Sequence, residues 1–165
     1  MPENDELHIS LRRNQNTLTV IGRGVIAFGV WSVLKTLATT VFRPETLREL
    51  SEQGVMYIVI FWIMEGLLVG TDLGLRVYVG RSAISEGRYG KRRKGYVALA
   101  FLMALGSLGL VALGLWLFGQ IDAESYVNLA VGLAVELTSC ILLIELGVSA
   151  IRVRWIGRKI GKGGA

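Results

Sequence analysis

The chain has 165 residues, 52% hydrophobic and 19% charged, with a formal net charge of +5 and a mean hydropathy of +0.51. That hydropathy is too high for an ordinary soluble domain, in which roughly a quarter of the residues are charged. One cysteine and one histidine rule out an intramolecular disulfide, a thiolate metal site and the usual histidine constellations of catalysis, so no cofactor, no metal and no enzymatic activity are expected.

The first 16 residues, MPENDELHISLRRNQN, are polar. They lack the basic start followed directly by an apolar run that marks a cleavable leader, and read as an N-terminal arm. The first span is predicted over 17–42, interrupted by Arg23 and Lys35, with Asn16 or Thr17 as its N-cap. Lys35 shares a face with Ser32, Thr36 and Thr39 and lies about 9 Å from the outer end of the span. In the next segment, RPETLRELSEQG, Pro44 and Gly54 are placed to start and stop a short interfacial helix.

The second span, 55–80, carries Glu65, Asp72 and Arg76. At 3.6 residues per turn these fall within about 40° of one another and form one stripe, which cannot face hydrocarbon without costing several kcal/mol. Asp72 and Arg76 are an i,i+4 acid-before-base couple and read as a structural ion pair. Glu65 lies about 15 Å inside the span, at the bilayer midplane.

The third span, 95–119, belongs to an uncharged run that reaches Ile121, longer than the roughly 20 residues needed to cross a bilayer core. Its small residues, Ala100, Ala104, Gly106, Ser107, Gly109 and Gly114, suit close helix association. The fourth span, 126–151, has Ser125 as a candidate cap and Glu136 at the same depth as Glu65. Glu136 shares its face with Gly132, Ser139 and Cys140; Glu145 is on the opposite face with Thr138, Ser149 and Arg152, its expected structural partner. A helix with polar groups on two sides is expected to be packed on both, by its own bundle and by a neighbouring subunit.

Charge sets the threading. The loop from Arg81 to Lys94 and the tail from Arg152 onward are basic, whereas the stretches 43–54 and 119–125 are acidic. The positive-inside rule then places both termini and the middle loop in the cytoplasm. Lys91, Arg92, Arg93, Lys94, Arg158 and Lys159 are expected to meet anionic lipid head groups, and nucleic acid is not an expected partner. Trp116 and Trp155 are placed as interfacial anchors. The short likeness between RVYVGR at 76–81 and RVRWIGR at 152–158 would make any internal repeat parallel.

The expected architecture is an all-α membrane protein of four transmembrane helices in two hairpins: an arm at 1–16, a membrane domain at 17–158 and a basic tail at 159–165. It is expected in a cell (inner or plasma) membrane. The expected function is an oligomeric channel or transporter for cations or protons, with Glu65, Glu136, Lys35, Asp72 and Glu145 as candidate ion- or proton-binding residues. The alternative is a non-catalytic membrane subunit or assembly factor whose buried charges specify helix packing and partner choice.

Overall fold

The computed structural model describes residues 2–41, 54–90, 95–118 and 126–163, and all regular structure in them is α-helical. The four helices are α1 (Pro2–Val41), α2 (Val55–Tyr89), α3 (Tyr96–Phe118) and α4 (Tyr126–Gly163). Each contains a stretch long and apolar enough to cross a membrane, over Glu6–Ala38, Val55–Tyr89, Tyr96–Trp116 and Ala130–Ile160. The chain is thus a multi-pass membrane protein by helix length and composition. The expected interfacial helix after Pro44, the Ser125 cap, the acidic turn with Asp122 and Glu124, and the cluster Lys91, Arg92, Arg93 and Lys94 lie outside the described residues.

Three helices are longer than a bilayer core requires. With 40, 35 and 38 residues, α1, α2 and α4 reach about 50–60 Å at 1.5 Å per residue, against about 30 Å of hydrocarbon. Only α3, with 23 residues, has the length of a simple crossing. Residues 2–16 thus continue α1 without interruption, and Asn16 and Thr17 do not cap it. No helix breaker separates residues 2 and 41. The polar side chains of this region satisfy themselves inside the helix: Asn14 Nδ2 donates to the Ser10 carbonyl at 2.8 Å, Thr17 Oγ1 to that of Arg13 at 3.0 Å and Thr19 Oγ1 to that of Gln15 at 3.0 Å. At the other surplus end, α2 runs nine residues past Gly80 and stops at Gly90, whose left-handed φ of 63° lets its N–H bond the Glu86 carbonyl at 3.1 Å.

α1 packs along both α2 and α4, α3 packs along α4, and the edge between α2 and α3 is nearly open. The seams are antiparallel. Along the α1–α2 seam, Gly22 meets Gly80 and Gly87 meets Gln15 and Thr19, so closely that a Cβ on Gly80 would stand 2.6 Å from the Gly22 carbonyl oxygen. In lipid, where apolar burial gives little driving force between helices, such backbone approach is a main source of association. Along α3–α4, Phe101 meets Gly147 and Gly114 meets Leu133.

The small residues of α3 divide between packing and open space. Ala100, Ala104 and Ser107 are buried, whereas a Cβ at Gly106 or Gly109 would meet nothing within 4 Å. The apolar core, with Leu18, Val25, Val79, Ala83, Tyr96, Leu143 and Leu146, gathers at the end that holds the α2 C-terminus and the α3 N-terminus. This is the basic end, rich in arginine. Toward the opposite end α2 is less covered: its buried residues all fall between Arg76 and Glu86, and Val55, Met56, Ile63, Leu67 and Leu68 are exposed.

Candidate functional site

The open edge between α2 and α3 is the mouth of a cavity of about 550 Å³. All four helices line it: Ser32 from α1; Leu68, Val69, Asp72, Leu75 and Arg76 from α2; Met103, Gly106, Ser107 and Leu110 from α3; Glu136 from α4. Three of the charged residues singled out in the sequence thus converge on one space.

Arg76 organises this space. It is 5% exposed, its Nε donates to Asp72 Oδ2 at 2.8 Å, and its Nη1 donates to the Ser139 hydroxyl on α4. The i,i+4 spacing brings Asp72 alongside, and the length of the arginine carries the second bond across the cavity wall. Ser139 is 3% exposed and is the only described side chain of α4 that takes a hydrogen bond from α2 at this level.

Glu136 stands differently. Its Oε2 is sealed from solvent and has no hydrogen-bond partner among the described residues. Lys35, from α1, has its Nζ 3.3 Å from where a Cβ on Gly132 would lie, one turn from Glu136 toward the far end, and is itself engaged in an interaction. Of the three charged residues that line the cavity, Asp72 and Arg76 are paired with each other, and Glu136 has no ion-pair partner among the described residues.

Glu65 does not reach the cavity. It is half-buried on the far stretch of α2, where no residue is fully buried, and it has no ion-pair partner among the described residues. Glu145 and Arg152 are also elsewhere: both are exposed and line a groove between α1 and α4 with Arg13, Asn14, Thr17 and Ser149. No ion pair joins Glu145 to Arg152 among the described residues; a seven-residue separation, about 10 Å along the axis, is too long for the direct contact that i,i+4 gives. The groove also explains the two polar faces of α4. One is turned to α3, with the Cys140 Sγ donating to the Ala104 carbonyl at 3.5 Å, and the other borders α1 across the groove, where Ser149 is buried while Glu145 and Arg152 stay exposed.

A second buried ion pair lies at the basic end, and sequence reasoning missed it. Glu86, 1% exposed, takes two bonds from Arg154, Nε to Oε1 at 2.7 Å and Nη2 to Oε2 at 2.8 Å. The Arg154 guanidinium sits 5.5 Å from the centre of the fully buried Tyr96 ring. The pair ties α2 to α4 and, through the tyrosine, to α3. Two arginines thus bridge α2 and α4 at two levels although the backbones of these helices scarcely meet.

All four tryptophans are exposed, Trp116 at 64% and Trp155 at 56%, and Lys159 lies over the Trp155 ring at 4.2 Å. Arg158 is exposed on the same last turns of α4. The chain matches no known protein-family model, no curated protein and no solved structure.

Proposed function

We propose that this protein moves protons or small cations across a cell (inner or plasma) membrane, with Glu136 as the carboxylate that takes and releases them inside the α2/α3 cavity. The observation that carries the proposal is the sealed Glu136 oxygen with no partner, lining the same space as a self-neutralised Asp72–Arg76 pair. Occupying or vacating such a carboxylate changes which helix packing is lower in free energy, which is the physical requirement for coupling ion movement to conformation. In this reading Asp72 and Arg76 set the field at the site, Lys35 screens it from the far end, and Glu65 joins only when the far half of α2 closes in.

The threading that goes with it has two hairpins and both termini in the cytoplasm, because the basic end carries Arg81, Arg88, Arg154, Arg158 and Lys159. Anionic head groups then meet that end. The chain works as a homo-oligomer or with a partner membrane subunit; Gly66, Gly70 and Gly74 support this, since they recur every four residues on α2 and a Cβ on any of them would meet nothing within 4 Å.

The test is flux from proteoliposomes loaded with pH- or ion-sensitive dyes. Flux is expected from the wild type, to vanish in Glu136→Gln, to be reduced in Asp72→Asn, and to persist in Glu65→Gln at a lower rate. In the same vesicles an impermeant maleimide applied from the non-cytoplasmic side reaches Tyr57→Cys and not Tyr89→Cys. A folded wild type that passes no proton or cation overturns the transport reading.

A second reading, a structural subunit, is favoured by the Glu86–Arg154 pair, which fixes packing without facing the cavity. It predicts no flux from any variant and loss of assembly in Glu136→Gln.

A further inference from the structure

The geometry points to a lipophilic organic monocation as the ligand of the α2/α3 cavity, an inference that rests on the transport reading's assignment of Glu136 to this cavity and extends its cargo beyond protons and small cations. Size is the first argument. A space of about 550 Å³ falls within the roughly 300–1,000 Å³ of pockets that enclose drug-sized molecules, and a bare metal ion would leave most of it unfilled. Chemistry is the second. Hard cations demand six or more oxygen ligands, whereas much of this wall is Leu68, Val69, Leu75, Met103 and Leu110, hydrocarbon and thioether that solvate the flanks of an organic ion and give nothing to an inorganic one.

Charge is the third argument. The polar groups that line the cavity with Glu136 are Ser32 from α1, Asp72 and Arg76 from α2 and the neutral Ser107 from α3, and Lys35 stands outside the lining, beside Gly132. Asp72 is matched by Arg76 at 2.8 Å, so the cavity lining itself, Asp72, Arg76 and Glu136, carries one negative charge in excess, the complement of a single positive charge. Access is the fourth. The mouth lies between two helices whose outer faces are apolar, with Leu67, Leu102 and Leu113 exposed, so it opens sideways to hydrocarbon, where an ion that hides its charge under apolar groups already partitions.

Equilibrium binding of radiolabelled tetraphenylphosphonium to the full chain in lipid nanodiscs tests this. Saturable binding of no more than one ion per chain is expected, undisplaced by a large excess of potassium or sodium. Glu136→Gln is expected to weaken it by about tenfold or more. Gly106→Leu gives an independent check, because its side chain grows into open cavity space and blocks the ligand without disturbing packing; it is expected to weaken binding likewise, while Thr71→Ala on the exposed side of α2 leaves it unchanged. Absence of saturable binding by the folded wild type, undiminished binding in Gly106→Leu, or displacement by potassium overturns the inference. Proton or potassium flux without phosphonium binding overturns it and leaves the transport reading standing; phosphonium binding without any flux upholds it and overturns transport.

Discussion

A carboxylate that is 1% exposed has to be matched by a cation held in place, and Arg154 supplies one with two parallel bonds to Glu86 and a tyrosine ring beneath it. Removing one partner of such a pair strands the other, at a cost of about 3–5 kcal/mol, whereas replacing both by apolar groups of similar volume is often neutral. Glu86→Ala and Arg154→Ala are therefore each expected to lower the thermal midpoint of the detergent-solubilised protein sharply, read by tryptophan fluorescence. The double variant Glu86→Leu with Arg154→Met is expected to recover most of the loss, giving a large coupling in the cycle. Additive losses would mean that the two side chains act separately. This pair was hidden in the sequence by the placing of span ends. When helices are stopped where hydropathy falls, at residues 80 and 151, Glu86 is a stray acid in a basic loop and Arg154 a topology charge. Carried on in phase, Glu86 lies 14 residues past Asp72 on nearly the same face, and Arg154 lies 18 past Glu136, five whole turns. The Asp72–Arg76 contact was legible because i,i+4 is local, while Ser139 as the second partner of Arg76 depends on how α4 is placed, which no local spacing encodes.

At the scale of elements, the existence of four apolar helices was readable because each has enough uninterrupted hydropathy, and α3 was the clearest because it carries no charge. Which helix touches which was not readable. The small residues of α3 drew attention as an association face, yet the closest approach belongs to α1 and α2, through Gly22, Gly80 and Gly87. Small residues permit contact without saying with whom. The two kinds of glycine on α2 make the difference testable. A Cβ at Gly80 would stand 2.5 Å from the Ile26 side chain and 2.6 Å from the Gly22 carbonyl oxygen, so Gly80→Ala pushes the helices apart, at a cost of about 1–3 kcal/mol by overpacking. Gly70→Ala enters open space and costs nothing within the chain. Denaturant titration in mixed micelles should separate the two; an equal response would place the α1–α2 seam elsewhere.

For the whole molecule, the distribution of packing is the controlling fact. The core, both arginine bridges and the tightest seam all lie in the basic half, and the far half of α2 buries no residue. A bundle built this way is rigid at one end and free to change its opening at the other, because local stability follows the density of buried contacts. The cavity sits where the two regimes meet, with Arg76 as the last fixed point of α2. If the proposed transport holds, the far half of α2 is the part expected to close over a ligand, bringing Leu68 and Val69 toward Met103 and Leu110 across the cavity they line. Spin labels at Tyr57→Cys on α2 and Leu113→Cys on α3, both exposed positions of the far half, are expected to give a broad distance distribution in Cys140→Ser protein that narrows and shortens when tetraphenylphosphonium is added. Labels at Tyr89→Cys and Trp155→Cys, exposed at the basic end, are expected to give a narrow distribution that the ligand leaves unmoved, because the Glu86–Arg154 pair holds α2 to α4 there. Equal widths at both ends would mean that the open edge is a fixed feature of a rigid bundle, and the coupling between Glu136 and the far half of α2 would have no moving part to act through.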